Sequence, residues 1–317
     1  VTSLTFNNGL YSLNSECIIK FARNNQYQIS ATIEGVVGRR EELEPNADQT
    51  RGQFVPYEAI TGLSIDREWK YDFLGIVIGS SNCKINPSDL TSVKFTALLA
   101  VNKIVIHKVE DSSETEVLQE WHLTGRSNFI YPQTTARREN DDFQRYRLGI
   151  DTEPEDSFPL SVGTSRDCLH VKFKDTGFIV AKVPKEYGPD WSNNLVIEFR
   201  KSFGRIPDEI EREAISEIVG FVFGNQLLKI GQSCYDSSLK IQSQEFQNPW
   251  GDNVVSRCGT FGLPPMALDN HEDWGRVQLL IGELINPYLE KRTELGLKDI
   301  LWKHWLAKYT SLGTNLP

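Results

Sequence analysis

A chain of 317 residues, 39% hydrophobic and 24% charged, has room for about two domains of roughly 100–200 residues and enough apolar side chains to bury a core. Its net charge of −9 excludes a general electrostatic attraction to nucleic acid or to an anionic membrane, leaving Arg137, Arg138, Arg145 and Arg147 as the best local basic patch. No run approaches the ~18 apolar residues of a membrane span, so no membrane partner is expected.

The front of the chain reads as short β-branched and aromatic strands separated by turn signals. Cys17–Phe21, Tyr27–Ile33, Phe73–Ile78, Val93–Leu99, Lys103–His107 and Val117–Leu123 all have this character, with no helix between them. Such a run predicts an antiparallel sandwich or barrel-like body. Arg39–Arg51 and Arg137–Pro159 read as polar loops, the second marking a domain boundary. Strands resume at Cys168–Phe173, Phe178–Val183 and Leu195–Phe199.

The period then changes. Ile206, Ile210, Ala214, Ile218 and Val222 recur every four residues, predicting one long amphipathic helix over 206–223. Pro207 suits its first turn, the acids Asp208, Glu209, Glu211 and Glu213 suit the positive end of its dipole, and Gly224 is placed to stop it. Strands are expected across Leu227–Ile241, and loops across Gln242–Pro265. A second helix is expected from Glu272 to Leu289, bent or broken at Asn286-Pro287. The tail from Tyr288 to Pro317 carries Trp302, Trp305, Leu306 and Tyr309 as an apolar stripe that needs a covering face. It reads as the opening helix pair of a domain that continues beyond this sequence. The expected fold is α+β: a β-rich domain over 1–136, an α+β domain over 160–268, and a helical segment over 269–317.

Few patterns carry chemistry. The five cysteines (Cys17, Cys83, Cys168, Cys234, Cys258) have no C-x-x-C spacing, which argues against a zinc site or disulfide framework and for reduced thiols in a cytoplasmic protein. No phosphate-binding glycine motif and no nucleophile elbow is present, and no cofactor is expected. Asp190, after Pro189, and Glu198-Phe199-Arg200 resemble a two-carboxylate, magnesium-dependent nuclease pattern, with Arg200 in the usual lysine place. Against that reading, only seven residues lie between the two acids, and Glu198 with Arg200 also fits a solvated strand face. Of the five histidines none pairs at helical spacing, and His170 reads as a structural residue on a strand. Trp250 and Arg257, in Asn248-Pro-Trp-Gly…Ser-Arg, could stack on and pair with a ligand or partner, as could Trp191; the alternative is that they plug gaps in the core.

Three stretches together give the chain a family likeness: Glu120–Gly125 (Glu-Trp-His-Leu-Thr-Gly); the passage from Ile197-Glu-Phe-Arg-Lys into the 206–223 helix and on to Phe223-Gly-Asn-Gln-Leu; and the Pro-Trp-Gly…Ser-Arg-Cys loop before a helical tail. In this layout the chain resembles the N-terminal region of ApeA-type HEPN-domain proteins, which act in bacterial anti-phage abortive infection. The resemblance implies a non-enzymatic sensor region that controls a C-terminal HEPN ribonuclease. It implies a phage-derived trigger, a second copy of the chain and RNA as partners. The HEPN Arg-x(4–6)-His motif cannot be carried onto any position: Arg166 and His170 have three residues between them and lie on a strand pattern. A carbohydrate-binding β-sandwich, presenting tryptophans from its loops, is a third reading.

Overall fold

The computed structural model describes residues 3–6, 12–13, 17–24, 27–37, 57–86, 89–109, 114–124, 168–182, 194–249 and 274–310. The protein is α+β, with antiparallel β-structure and three α-helices among these residues. It divides into two compact units, one of residues 1–113 with 242–249, the other of 114–241 with 250–317. No described helix is long and apolar enough to cross a membrane.

In the first unit, β1 (Ser3–Phe6), β2 (Ser12–Leu13), β3 (Cys17–Arg23), β4 (Ile29–Val37), β5 (Tyr57–Leu63), β6 (Trp69–Asn86), β7 (Asp89–Lys108) and β13 (Ile241–Gln247) pair antiparallel throughout. The two strands expected at 93–99 and 103–107 are one 20-residue strand, β7. Asn102, which reads as a turn residue, lies where β7 changes neighbours. Residues 93–101 pair with β4 and residues 103–107 with β13. Asn248 fastens this junction: its amide donates to the Val101 carbonyl at 3.0 Å, and its side-chain oxygen accepts from the Ile29 N–H at 2.7 Å. Across the hairpin Gly75 adopts φ 60°, and a Cβ there would lie 2.6 Å from the Asn102 amide nitrogen, so both space and backbone demand glycine. Ile29, Ala31, Ile33, Phe73, Ile76, Leu99, Val101 and Ile104 are buried in this unit. The stretch 242–247, expected as loop, belongs to β13; its residues are mostly half-buried and polar, so they show no apolar alternation.

The second unit has the sheet order β12-β8-β11-β10-β9, antiparallel at every step, with β8 (Val117–Leu123), β9 (Cys168–Phe173), β10 (Thr176–Lys182), β11 (Asn194–Arg200) and β12 (Leu228–Tyr235). Helices α1 (Glu209–Phe223) and α2 (Trp274–Arg292) lie on one face of it. Leu169, Val171, Phe173, Phe178, Val180, Leu195, Ile197 and Phe199 meet Ile215, Ile218, Val219, Val222 and Phe223 from α1 and Val277, Ile281 and Ile285 from α2 in a single core. Full burial of each such side chain stabilises by about 1.5–3 kcal/mol.

The helix expected at 206–223 begins later, at Glu209. Asp208 is its N-cap, in a reciprocal capping box with Glu211, and Pro207 stands just outside it. Gly224 ends it in the left-handed conformation at φ 66°. The chain does not break at Pro287, and α2 runs through it as one helix. Pro287 and Glu283 are both exposed, so the carbonyl that loses its N–H partner lies on the side of the helix open to water. Along the edge of the sheet α2 caps β9, where the Gln278 side-chain oxygen accepts from the His170 N–H at 3.3 Å.

After a turn at Gly296 (φ 59°) comes α3 (Leu297–Thr310). Its tryptophan stripe is covered in part by this same unit. Trp305 is 6% exposed, and the His304 ring lies 4.9 Å from it and 6.5 Å from Phe221 of α1; Trp302 is half-buried and Leu306 exposed.

Candidate functional site

On the sheet of the second unit, alternation along β8 sends Leu118, Glu120 and His122 to the helix side and Gln119 and Trp121 to the other. The register carries that division across every strand: Glu120 lies opposite Ile197 and Gln232, while Gln119 lies opposite Glu198 and Ser233. Each side holds a buried polar network.

Beneath α1, Glu120 is 3% exposed. Its carboxylate accepts from Arg212 Nε of α1 at 3.0 Å and from Lys229 Nζ of β12 at 2.8 Å. His122, 1% exposed, places Nε2 4.0 Å from the same carboxylate, and its Nδ1 has no hydrogen-bond partner among the described residues. Burial pushes the His122 imidazole down to about 4, with nearby Lys229 acting the same way against the opposing pull of Glu120. Lys229 and Arg212 hold Glu120 below the usual carboxylate range despite its burial. A neutral histidine beside an ion triad anchors α1 to β8 and β12.

On the opposite face Glu198 is fully buried. Its Oε1 accepts from Arg200 Nε at 2.6 Å and its Oε2 from Gln119 Nε2 at 2.8 Å; the Gln119 oxygen in turn accepts from the Tyr235 hydroxyl at 3.0 Å. Glu198 is therefore not on the solvated strand face expected for it. Both its oxygens are engaged, and the cation beside it is an arginine that it orients. Phe203, on the 3₁₀ turn Lys201–Phe203, lies under the guanidinium, its centroid 5.9 Å from the Arg200 Cζ.

Of the remaining expected site residues, Asp190, Trp191, Trp250 and Arg257 lie outside the described residues, as do the basic patch from Arg137 to Arg147 and the cysteines other than the half-buried Cys234, apart from the backbone of Cys17, Cys83 and Cys168. Among the described residues no cluster of three potential metal ligands occurs. Sequence reasoning missed Gln119, Glu120, Arg212, Lys229 and Tyr235. The available signal was three polar positions, Gln119, Glu120 and His122, at the centre of a strand whose ends are aliphatic. Strand-centre polar residues of that kind call for buried partners. Comparison with protein-family models, curated proteins and solved structures finds no match to this chain.

Proposed function

We propose that this chain is the sensor and regulatory region of a bacterial anti-phage defence protein, and that it controls a HEPN-type ribonuclease. The reading rests on the resemblance in layout, and the observation that supports it best is the grip of the second unit on its helical tail. Arg292, at the end of α2, donates to Glu217 at 2.9 Å and to Glu213 at 2.6 Å, both on α1. Tyr288 donates to Glu217 at 2.7 Å, and Lys298 of α3 pairs with Glu213. Arg292 and Tyr288 thus tie α2 to α1, while Lys298 and the edge-on contact of His304 with Phe221 tie α3 to the same helix.

A trigger from the phage acts by loosening that grip and freeing the helical segment to pair with a second copy and to engage RNA. Trp250, Arg257 and Trp191 are the contact residues for the trigger. The test is phage plating on bacteria that express the full-length gene. Alanine at Trp250 and Arg257 should abolish protection while leaving the melting temperature unchanged, and Trp305→Ala should arrest growth without phage. Protection equal to wild type in the first variant, with no toxicity in the second, would refute the reading.

A further inference from the structure

The sheet face turned away from α1 and α2 gathers donors around one aromatic ring. The Glu198 carboxylate, buried and backed by Gln119 and Tyr235, holds Arg200 through Nε alone. The terminal guanidinium nitrogens have no hydrogen-bond partner among the described residues, and Phe203 supports the guanidinium plane. On the same ring, at 4.8 Å, lies the imidazole of His170, itself without a side-chain hydrogen bond among the described residues. Gly177 makes room for it: a Cβ there would come within 3.3 Å of His170 Nε2. Lys172, exposed and likewise unpaired among the described residues, lies opposite Gly177 on the same side of β9. Burial, then Lys172 and then Arg200, hold His170 below the usual imidazole value, so the positive charges of this patch act on one another.

We propose that Arg200, His170 and Lys172 form a binding site for a phosphoryl group. The geometry is that of a preorganised receptor. A rigid guanidinium fork, fixed from behind by a buried carboxylate and from below by an aromatic ring, loses little freedom when it binds. The fork alone would occupy both oxygens of a carboxylate ligand. A tetrahedral oxyanion has further oxygens for the imidazole and the ammonium, and charge-assisted bonds to all three groups become available. Two positive side chains against the single carboxylate of Glu198 leave the patch with a net positive charge. A bound dianion therefore favours the protonated form of His170, and binding takes up a proton. Lys172 on the same strand and Arg200 on β11 are the charged groups that act on that imidazole.

The experiment follows the His170 ring signal by NMR in the purified chain, titrated with inorganic phosphate, with phosphoserine and with acetate at low ionic strength. Saturable shifts with phosphate or phosphoserine, accompanied by a rise in the His170 titration midpoint, are expected; tighter binding of phosphoserine would place the phosphoryl group on a larger molecule. Lys172→Ala should raise the dissociation constant about tenfold, as expected for loss of one charged hydrogen bond. Arg200→Lys keeps a cation on Glu198 but removes the fork, and should cost about as much or more. The proposal fails if phosphate and phosphoserine leave His170 unmoved, if acetate binds as tightly as they do, or if both folded variants bind as wild type.

Discussion

Two buried acids in the second unit differ from surface ion pairs in what their loss would do. Removing Arg200 leaves Glu198 as a fully buried carboxylate with only Gln119 to bond it. Breaking one side of such a pair costs about 3–5 kcal/mol, whereas replacing both partners by apolar groups of similar shape is often nearly neutral. Arg200→Met should therefore lower the urea midpoint sharply, and adding Glu198→Leu should recover most of the loss, a coupling that a double-mutant cycle reads directly. His122 makes a different prediction, about pH. Its folded value near 4 lies below the ordinary imidazole value of about 6.5, so on acidification the unfolded chain takes up the proton first. Stability from this group is complete above pH ~6.5 and falls at about 1.4 kcal/mol per pH unit down to pH 4. Depressed carboxylates extend the same trend: Glu211, held near 2 chiefly by its hydrogen bonds from Arg205, withdraws its contribution only below the ordinary glutamate range. Chemical denaturation from pH 7.5 to 4 should show the slope, and His122→Leu should flatten it.

At the level of elements, local signals decided what could be read beforehand. The helix α1 was legible because its four-residue rhythm, its acidic start and Gly224 all agree, and the capping box adds a check: Asp208→Ala should cost about 1 kcal/mol in thermal unfolding. Strand β9 and the pairing partners β10 and β11 were legible from their aliphatic and aromatic runs. The continuity of β7 was not, because Asn102 is a turn former by composition and is held in the strand by Asn248, 146 positions away. The same holds for the candidate sites. Gln119 and Glu198 are 79 positions apart, and Arg212 and Glu120 are 92 apart. Strand register brings the first pair together and helix-on-sheet packing the second, and no local period encodes either. Pro287 is the converse case: a proline that locally disfavours helix stays inside α2 because the lost bond faces solvent.

Across the second unit, stability should be graded from the sheet outward. The sheet strands and α1 share one apolar core and are anchored beneath by the Glu120 cluster, whereas α3 buries Trp305, half-buries Trp302 and shows Ile300 and Leu306 to solvent at 57% and 43%. Its ion pair from Lys298 to Glu213 joins side chains 54% and 44% exposed, and exposed pairs contribute about 0–1 kcal/mol. Among the described contacts, buried Trp305, the edge contact of His304 with Phe221 and a weak ion pair hold a helix of 14 residues, too short to be stable alone in water. The helix α3 should thus open by itself, without unfolding of the core, and amide hydrogens of 297–310 should exchange faster than those of α1 by a factor set by local rather than global opening. Trp305→Ala removes about 3–5 kcal/mol of packing from the closed form. Exchange should then rise by orders of magnitude in 297–310 while the amides of Ala214–Val222 stay protected. Equal acceleration in both helices would mean that α3 is part of the cooperative core, and that the grip on the tail is not a separable device.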